Sequence, residues 1–155
     1  MFKTQFKVQA KWSSKDALDV SVNGKTHHVF IDGKTPLTIS AAKAFKGDET
    51  KHNPEDLLLS ALSSCHMMSY FYVCAQNRIE LLDYTDDAIG ILELKPDGSG
   101  AFVSVVLNPV VTVLKTSMID KALRLHKEAN KLCFIANSCN FPIKHHAKIK
   151  VIDSD

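Results

Sequence analysis

A long apolar segment at residues 53–77, NPEDLLLSALSSCHMMSYFYVCAQN, constrains the fold more than any other part of the chain. Asn53 is a favourable N-cap and Pro54 suits the first helical position, so the segment predicts a helix that begins here. Two carboxylates follow at once, where they complement the positive end of the helix dipole. The helix is expected to reach Asn77, which makes it about 24 residues and about 35 Å long. Because apolar residues cover most of its faces, we expect it to be buried on most sides.

The chain before this helix has the pattern of strands. Residues 2–8 alternate between apolar and polar types, which predicts a first strand. Asn23-Gly24 lies between two alternating runs and predicts a hairpin turn, and Asp32-Gly33 predicts another turn. We therefore expect a small sheet to precede the helix.

The chain after the helix predicts strands on either side of a second helix. Two long strands are expected at 79–94 and 101–114, joined by a turn in the segment KPDGSG between them. Ser117, with Asp120 three residues on, resembles a capping box and predicts the start of the second helix. Residues 144–152 predict a last strand. This order of elements predicts an α+β fold, with antiparallel sheets around the long helix and the second helix.

Composition narrows the class of protein. The chain has 155 residues, of which 45% are hydrophobic and 23% charged, so we expect residues 1–155 to form a single domain with a real core. A formal net charge of +2 is too small to indicate a nucleic-acid partner. The first residues alternate and carry charge, unlike a secretory signal. We therefore expect a cytoplasmic protein that binds neither nucleic acid nor a membrane.

Four cysteines are the residues most open to chemistry. In a reducing compartment they are buried, metal-binding or catalytic rather than disulfide scaffolding. Cys65 lies in the middle of the long helix and Cys133 at the end of the second helix, and either one could be a small core residue. Cys74 lies about 180° around the helix from Cys65, so it cannot share that face. Cys139 is a candidate for a further thiol at the same site.

Standard metal-binding spacings are absent from the sequence. It contains no C-x-x-C and no H-x-x-x-H, so we expect no metal. A site built from Cys65, His66, Cys133 and His126 is the one metal alternative left open. His145 and His146 share a strand, so their side chains should point to opposite faces and no function is assigned to them.

Two motifs together resemble a known family. NPEDLLLSALSSC at 53–65, and CFIANSCNFP beginning 68 residues after Cys65, resemble the OsmC/Ohr proteins, the osmotically inducible and organic hydroperoxide resistance proteins. The resemblance runs from about residue 51 to the end of the chain. It implies an intertwined α+β homodimer and a thiol peroxidase that acts on organic hydroperoxides without a cofactor. It also implies recycling by an external dithiol, typically a dihydrolipoyl group on a partner protein.

Carried over to this sequence, the resemblance implies three catalytic residues. Cys65 matches the cysteine that attacks the peroxide and becomes a sulfenic acid, Cys133 matches the cysteine that resolves it to a disulfide, and Glu55 matches the family glutamate. A thiolate is the nucleophile in such a reaction, and a sulfenic acid condenses readily with a neighbouring thiol. Apolar residues around Cys65 would favour organic hydroperoxides over hydrogen peroxide.

One part of the family pattern is missing. Family members usually place an arginine in the N-terminal region, but the first arginine in this chain is at position 78. The candidates that could activate the thiol in its place are Lys43, Lys46, His52 and His126. Lysine lacks the bidentate fork of arginine, so the replacement is not equivalent. Two further interpretations therefore stay open: an OsmC-like redox-sensing or binding protein without efficient turnover, and a metal-binding or purely structural dimer.

Overall fold

The computed structural model describes residues 2–14 and 23–153. These residues divide into two compact units, the first ending at Leu58 and the second beginning at Leu59. The first unit contains the N-terminal strands, and the second contains all the later strands and the second helix. The expectation of a single domain over residues 1–155 stays a prediction.

The first unit contains a three-stranded antiparallel sheet. Its strands are β1 (Gln9–Lys11), β2 (His27–Phe30) and β3 (Leu37–Ile39), in that order. The predicted turn at Asp32-Gly33 is confirmed between β2 and β3, where Gly33 takes the positive φ of 71° that glycine adopts without strain. Residues 2–8 are exposed and form no strand, so that prediction is wrong.

Two short 3-10 helices also lie among the described residues of the first unit. One, Asn23–Lys25, occupies the position where a hairpin turn is predicted at Asn23-Gly24, and the other is Lys43–Phe45. The alternating run at 17–22 that would form the preceding strand of that hairpin lies outside the described residues. The hairpin therefore stays a prediction.

The long helix α1 spans Pro54–Gln76, as the sequence predicts. Asn53 caps it, since Asn53 Oδ1 accepts a hydrogen bond of 2.8 Å from the backbone N–H of Asp56. Burial differs from the expectation, because the buried residues form one stripe, at Leu62, His66, Tyr70, Val73 and Cys74. Other apolar side chains of α1, such as Met68 (58% exposed) and Tyr72 (59%), face outward in the single chain.

By length and composition alone, α1 would be long and apolar enough to cross a bilayer. The central helix of a water-soluble protein meets the same criteria, so this is weak evidence for a membrane segment.

The two long strands predicted after α1 are each broken in two. They form β4 (Leu81–Asp86), β5 (Ile89–Leu94), β6 (Gly100–Leu107) and β7 (Pro109–Lys115). The predicted turn joins β5 and β6 in an antiparallel hairpin. β4 does not join that sheet and pairs with β7 in a different one.

Asp86 and Asn108 explain the break. The Asp86 carboxylate accepts the backbone N–H of Asn108 at 2.7 Å and the Ser63 hydroxyl at 2.6 Å, while Asn108 Nδ2 donates to the Asp87 carbonyl at 2.8 Å. Pro109 has no N–H to continue a ladder. These bonds join residues far apart in sequence, so alternation alone does not reveal them.

The second helix, α2, spans Ile119–Leu132. The segment Thr116–Met118 that precedes it is a 3-10 helix, and Met118 caps α2 without a side-chain hydrogen bond, so the predicted capping box is wrong. The last predicted strand is also divided, into β8 (Ile143–His145) and β9 (Lys148–Asp153). β8 pairs in parallel with β6, and β9 pairs in parallel with β7, so the two sheets of the second unit are mixed.

Two separate groups of buried side chains lie in the second unit. One, which we call the thiol cluster, has Leu62, Val105, Leu107 and Cys133 at its centre and Cys65 at its edge. The other, which we call the main core, joins α1 and α2 to the β4–β7–β9 sheet and is made of Tyr70, Val73, Cys74, Ile79, Val111, Val113, Ala122, Leu125 and Ala129. Helix α1 contributes to the thiol cluster from its first half and to the main core from its second half.

Candidate active site

Cys65 and Cys133 meet in the thiol cluster. Cys65 is half-buried on α1, whereas Cys133 is fully buried just after the end of α2. Cys133 leaves the helix in an extended conformation, with φ −74° and ψ 105°. Cys65 packs against the cluster in which Cys133 is buried, and the Cys65 thiol contributes to the electrostatic environment of Cys133. The structure therefore brings together the two cysteines that the sequence singled out.

The surroundings of Cys133 favour its protonated form. Burial, with a smaller contribution from the hydrogen bond to Cys65, raises the pKa of Cys133 to about 11. The backbone N–H groups of Ala136 and Ile135 act in the opposite direction, and the Ala136 nitrogen lies 3.4 Å from the Cys133 sulfur. At neutral pH the Cys133 thiol therefore keeps its proton. Its S–H group can donate a hydrogen bond to a thiolate at Cys65.

Apolar side chains surround both sulfur atoms. The thiol cluster includes residues from α1, from strands β6 and β8 and from the turn after α2; its partly buried members include Leu59, Phe102, Ile135, Phe141 and Ile143. Phe102 and Phe141 lie with ring centroids 5.7 Å apart. These apolar surroundings favour an apolar ligand over a strongly hydrated one.

The other two cysteines lie elsewhere. All four cysteines are free thiols. Cys74 is buried in the main core, where burial raises its pKa to about 11 although a hydrogen bond to Tyr70 acts in the opposite direction. This confirms that Cys74 and Cys65 face different sides of α1. Cys139 is half-buried just after a 3-10 helix at Ala136–Ser138, and burial raises its pKa.

The remaining predicted site residues, except His126, belong to the first unit. Glu55 lies in the first turn of α1, and its Oε2 is buried with no hydrogen-bond partner among the described residues. Lys43 pairs with Glu49 at 2.6 Å on the surface. Lys46 is exposed in the left-handed conformation, and His52 is exposed with its carbonyl accepting the Ser40 N–H. The activating roles suggested for these side chains stay predictions.

His126 contacts the rings of His66 and Tyr70. It is 3% exposed on α2, its Nδ1 lies 3.1 Å from His66 Nε2, and the ring of Tyr70 stacks on it at 3.9 Å. Cys133 is seven residues further on, about 10 Å along the helix axis. The His126 ring therefore lies among other rings, away from the Cys133 sulfur.

A histidine cluster emerges here that the sequence did not predict. His66, His126 and His145 lie together, with the His66 and His145 ring centroids 4.3 Å apart. The only sequence signal is the alternation that points His145 and His146 to opposite faces, which is confirmed, since His145 is half-buried and His146 exposed. Within the described part of the chain, no group of three histidine, cysteine or acidic side chains could hold a metal ion.

Family comparison agrees with this arrangement of elements. Residues 47–148, more than half of the chain, match the family of OsmC-like proteins. The chain belongs to the OsmC-like protein family. Glu55, Cys65, His126 and Cys133 all lie within the matched residues, whereas Lys43 precedes them. No curated protein matches the sequence.

Solved structures of OsmC-like proteins share the fold over nearly the whole chain. An OsmC-like protein of unknown function from Vibrio cholerae is 29% identical, with a TM-score of 0.81, covering 96% of this chain and 100% of that one. An organic hydroperoxide resistance protein from Legionella pneumophila is 21% identical, with a TM-score of 0.71 and the same coverage of 96% and 100%. The organic hydroperoxide resistance protein OhrB of Bacillus subtilis is 20% identical, with a TM-score of 0.62, covering 95% and 98%. These likenesses establish the α+β fold of the family.

Proposed function

We propose that this OsmC-like protein is a cysteine peroxidase that reduces organic hydroperoxides to alcohols. The observation that carries the proposal is that Cys65 packs against the apolar cluster in which Cys133 is buried. Cys65 is the more accessible of the two and serves as the nucleophile, while the buried Cys133 serves as the resolving thiol. Structures of proteins named for organic hydroperoxide resistance share the fold, which supports the substrate class.

The reaction proceeds in three steps. The Cys65 thiolate attacks the terminal oxygen of the hydroperoxide, an S–O bond forms, the O–O bond breaks, and the alkoxide takes a proton and leaves as the alcohol. The Cys133 sulfur then attacks the sulfenic sulfur of Cys65, forming a disulfide and releasing water. An external dithiol, for which a dihydrolipoyl group is the family precedent, restores both thiols by exchange.

The backbone around Cys133 supports the second step. The N–H groups of Ala136 and Ile135 are directed at the Cys133 sulfur and stabilise negative charge there. The Cys133 thiol therefore donates a hydrogen bond to Cys65 before the first step. In the second step the two backbone N–H groups stabilise the Cys133 thiolate as it loses its proton.

Replacing each cysteine tests the two roles. Cys65→Ser should abolish consumption of cumene hydroperoxide with dihydrolipoamide as reductant. Cys133→Ser should allow a single turnover and leave a trappable sulfenic acid at Cys65. Cys139→Ser is the matched control and should turn over like the parent protein. If Cys65→Ser and Cys133→Ser both retain the parent rate, the two-cysteine mechanism is wrong.

We propose further that the working form is a C2 homodimer with Glu55 from one chain at the Cys65 of the other. Ten residues separate the two on α1, about 15 Å along the axis and about 80° around it, so they cannot meet within one helix. Two observations support a partner: the exposed apolar side chains of α1, and the unpartnered Oε2 of Glu55. Refolding Cys65→Ser with Glu55→Ala should restore activity, since one of the two sites regains both residues. No recovery despite proven subunit exchange would rule out the shared site.

A redox sensor without efficient turnover is the second candidate. The observation in its favour is electrostatic: Lys43 already pairs with Glu49, and no arginine precedes residue 78. A sensor would form the Cys65–Cys133 disulfide once per equivalent of hydroperoxide, yet dihydrolipoamide would not drive repeated turnover. Counting turnovers per subunit separates the two functions.

A further inference from the structure

The histidine cluster leaves several buried polar atoms without a partner. Burial, with a smaller effect from neighbouring histidines, lowers the pKa of His66 to about 3 and of His126 to about 4. Burial likewise lowers the pKa of His145. All three rings are therefore neutral at neutral pH, and each carries one N–H and one bare nitrogen. The bond between His66 Nε2 and His126 Nδ1 uses one nitrogen of each ring.

Four side-chain atoms near this bond are buried and have no hydrogen-bond partner within the described residues: His66 Nδ1, His126 Nε2, His145 Nε2 and Asn130 Oδ1. Unpaired polar atoms are costly to bury, so native proteins usually supply a partner for them. Three of the four belong to residues that line one open cavity of about 590 Å³, between α2 and residues 143–147.

Tautomer preference makes His126 a donor to the cavity. If His66 Nε2–H donates to His126 Nδ1, the unpaired atom left deep inside is a bare nitrogen of His66, and His126 Nε2 carries its hydrogen. The opposite tautomers would leave an N–H of His66 unpaired in the interior, which is less favourable. Asn130, one turn after His126 on the same face of α2, can present its amide nitrogen if the group turns over.

The mouth of the cavity is cationic. Lys127 and Lys144 are exposed around it, and among the described residues no acidic side chain lines it. The nearest glutamate in α2, Glu128, pairs with Lys131 instead. Donors at the bottom with ammonium groups at the rim are suited to an oxyanion, whereas the two lysines would repel a metal ion.

We propose that this cavity binds the oxyanion group, carboxylate or phosphate, of a small ligand. His126 donates from its Nε2 atom, His145 presents its unpartnered Nε2, Asn130 contributes its amide, and Lys127 and Lys144 supply the charge. No cysteine lines the cavity. Ile143 lines the cavity and also packs against the thiol cluster, so a bound ligand lies one side chain away from that cluster.

Ring nitrogen NMR tests the site directly. In protein labelled with ¹⁵N-histidine at pH 7.5, inorganic phosphate or butyrate should shift the ring signals of His126 and His145, while His28, which does not line the cavity, serves as the internal control. A response to phosphate alone or to butyrate alone identifies the source of the oxyanion. Equal shifts with butanol, or none with either anion, would overturn the proposal. Cys65→Ser should respond like the parent, which separates this test from that of the peroxidase.

A charge-matched pair of variants tests the rim. Lys127→Ala with Lys144→Ala should weaken anion binding about tenfold, as expected for two exposed charges at the ligand. Lys95→Ala with Lys150→Ala removes the same net charge from exposed positions that do not line the cavity. The control should bind within about twofold of the parent. Equal losses in both variants would mean that only the overall charge matters, and would overturn the proposed site.

Discussion

Cys65 and His66 are neighbours on α1, yet they lead into two parts of the second unit that are built differently. Cys65 is half-buried and borders the apolar thiol cluster, in which the second thiol, Cys133, is buried. His66 is fully buried among histidine and tyrosine rings on the other face. Successive helical residues point about 100° apart, so one turn of helix serves both regions. The difference separates a half-exposed thiol from a buried group of neutral rings.

The largest expected difference is in the reactivity of the two cysteines of α1. Iodoacetamide should modify Cys65 in the native protein, whereas Cys74, whose pKa burial raises to about 11, should react only after unfolding. Mass spectrometry of labelled peptides, with and without urea, measures both. Equal labelling of the two in native protein would contradict the assignment of Cys74 to the closed core.

Truncation inside the thiol cluster should cost the most stability. Leu62 is fully buried on α1, and Leu62→Ala should lower the free energy of unfolding by about 2–5 kcal/mol because it leaves a cavity. Leu94→Ala is the control, since Leu94 is 55% exposed and its loss should cost no more than about 0.5 kcal/mol. Urea unfolding measures both values. A loss below about 1 kcal/mol for Leu62→Ala would indicate that the cluster is loosely packed.

Lowering the pH should destabilise the folded protein through the histidine cluster. Its histidines have pKa values below the ordinary 6.5 in the folded state, so the unfolded state binds more protons as the pH falls below 6.5. Stability is therefore complete above pH 6.5 and decreases toward pH 4. The expected loss between pH 6.5 and 5.5 is about 1–3 kcal/mol.

A variant and its control locate this pH dependence. The titratable groups that face the histidine cluster are Tyr70, Tyr84 and Asp86. His66→Gln should reduce the slope of stability against pH, whereas exposed His146→Gln should leave it unchanged. An identical slope in both variants would place the acid sensitivity elsewhere.

The smallest effect expected is at the edge of the histidine cluster. Tyr70 donates a 3.0 Å hydrogen bond to the Ala122 carbonyl while its ring stacks on His126. Tyr70→Phe keeps the stacking and removes the hydroxyl, so it should cost about 0.5–1.5 kcal/mol. Calorimetry or urea unfolding is sufficient to measure it. A loss above about 3 kcal/mol would show that the hydroxyl holds α1 and α2 together more strongly than one hydrogen bond allows.

Local signals account for what could be predicted well. The cap at Asn53, the length of α1 and the turn at Gly33 depend on neighbouring residues, and the structure contains all three. The two long strands failed because their breaks depend on Asp86 and Asn108, which bond to each other across 22 residues. The cysteine pair was found through a family resemblance, since spacing alone does not bring positions 65 and 133 together.

The sequence by itself determined the α+β class, the long capped helix and the two faces of α1 on which Cys65 and Cys74 lie. Each of these follows from helical or strand periodicity and from side chains that act within a few residues. Tertiary structure alone decided that Cys133 meets Cys65, that the strands after α1 divide between two sheets, and that three histidines from α1, α2 and β8 share one buried site. The physical reason is that burial and strand pairing depend on contacts between segments distant in sequence. Local sequence patterns do not show which of these segments come together.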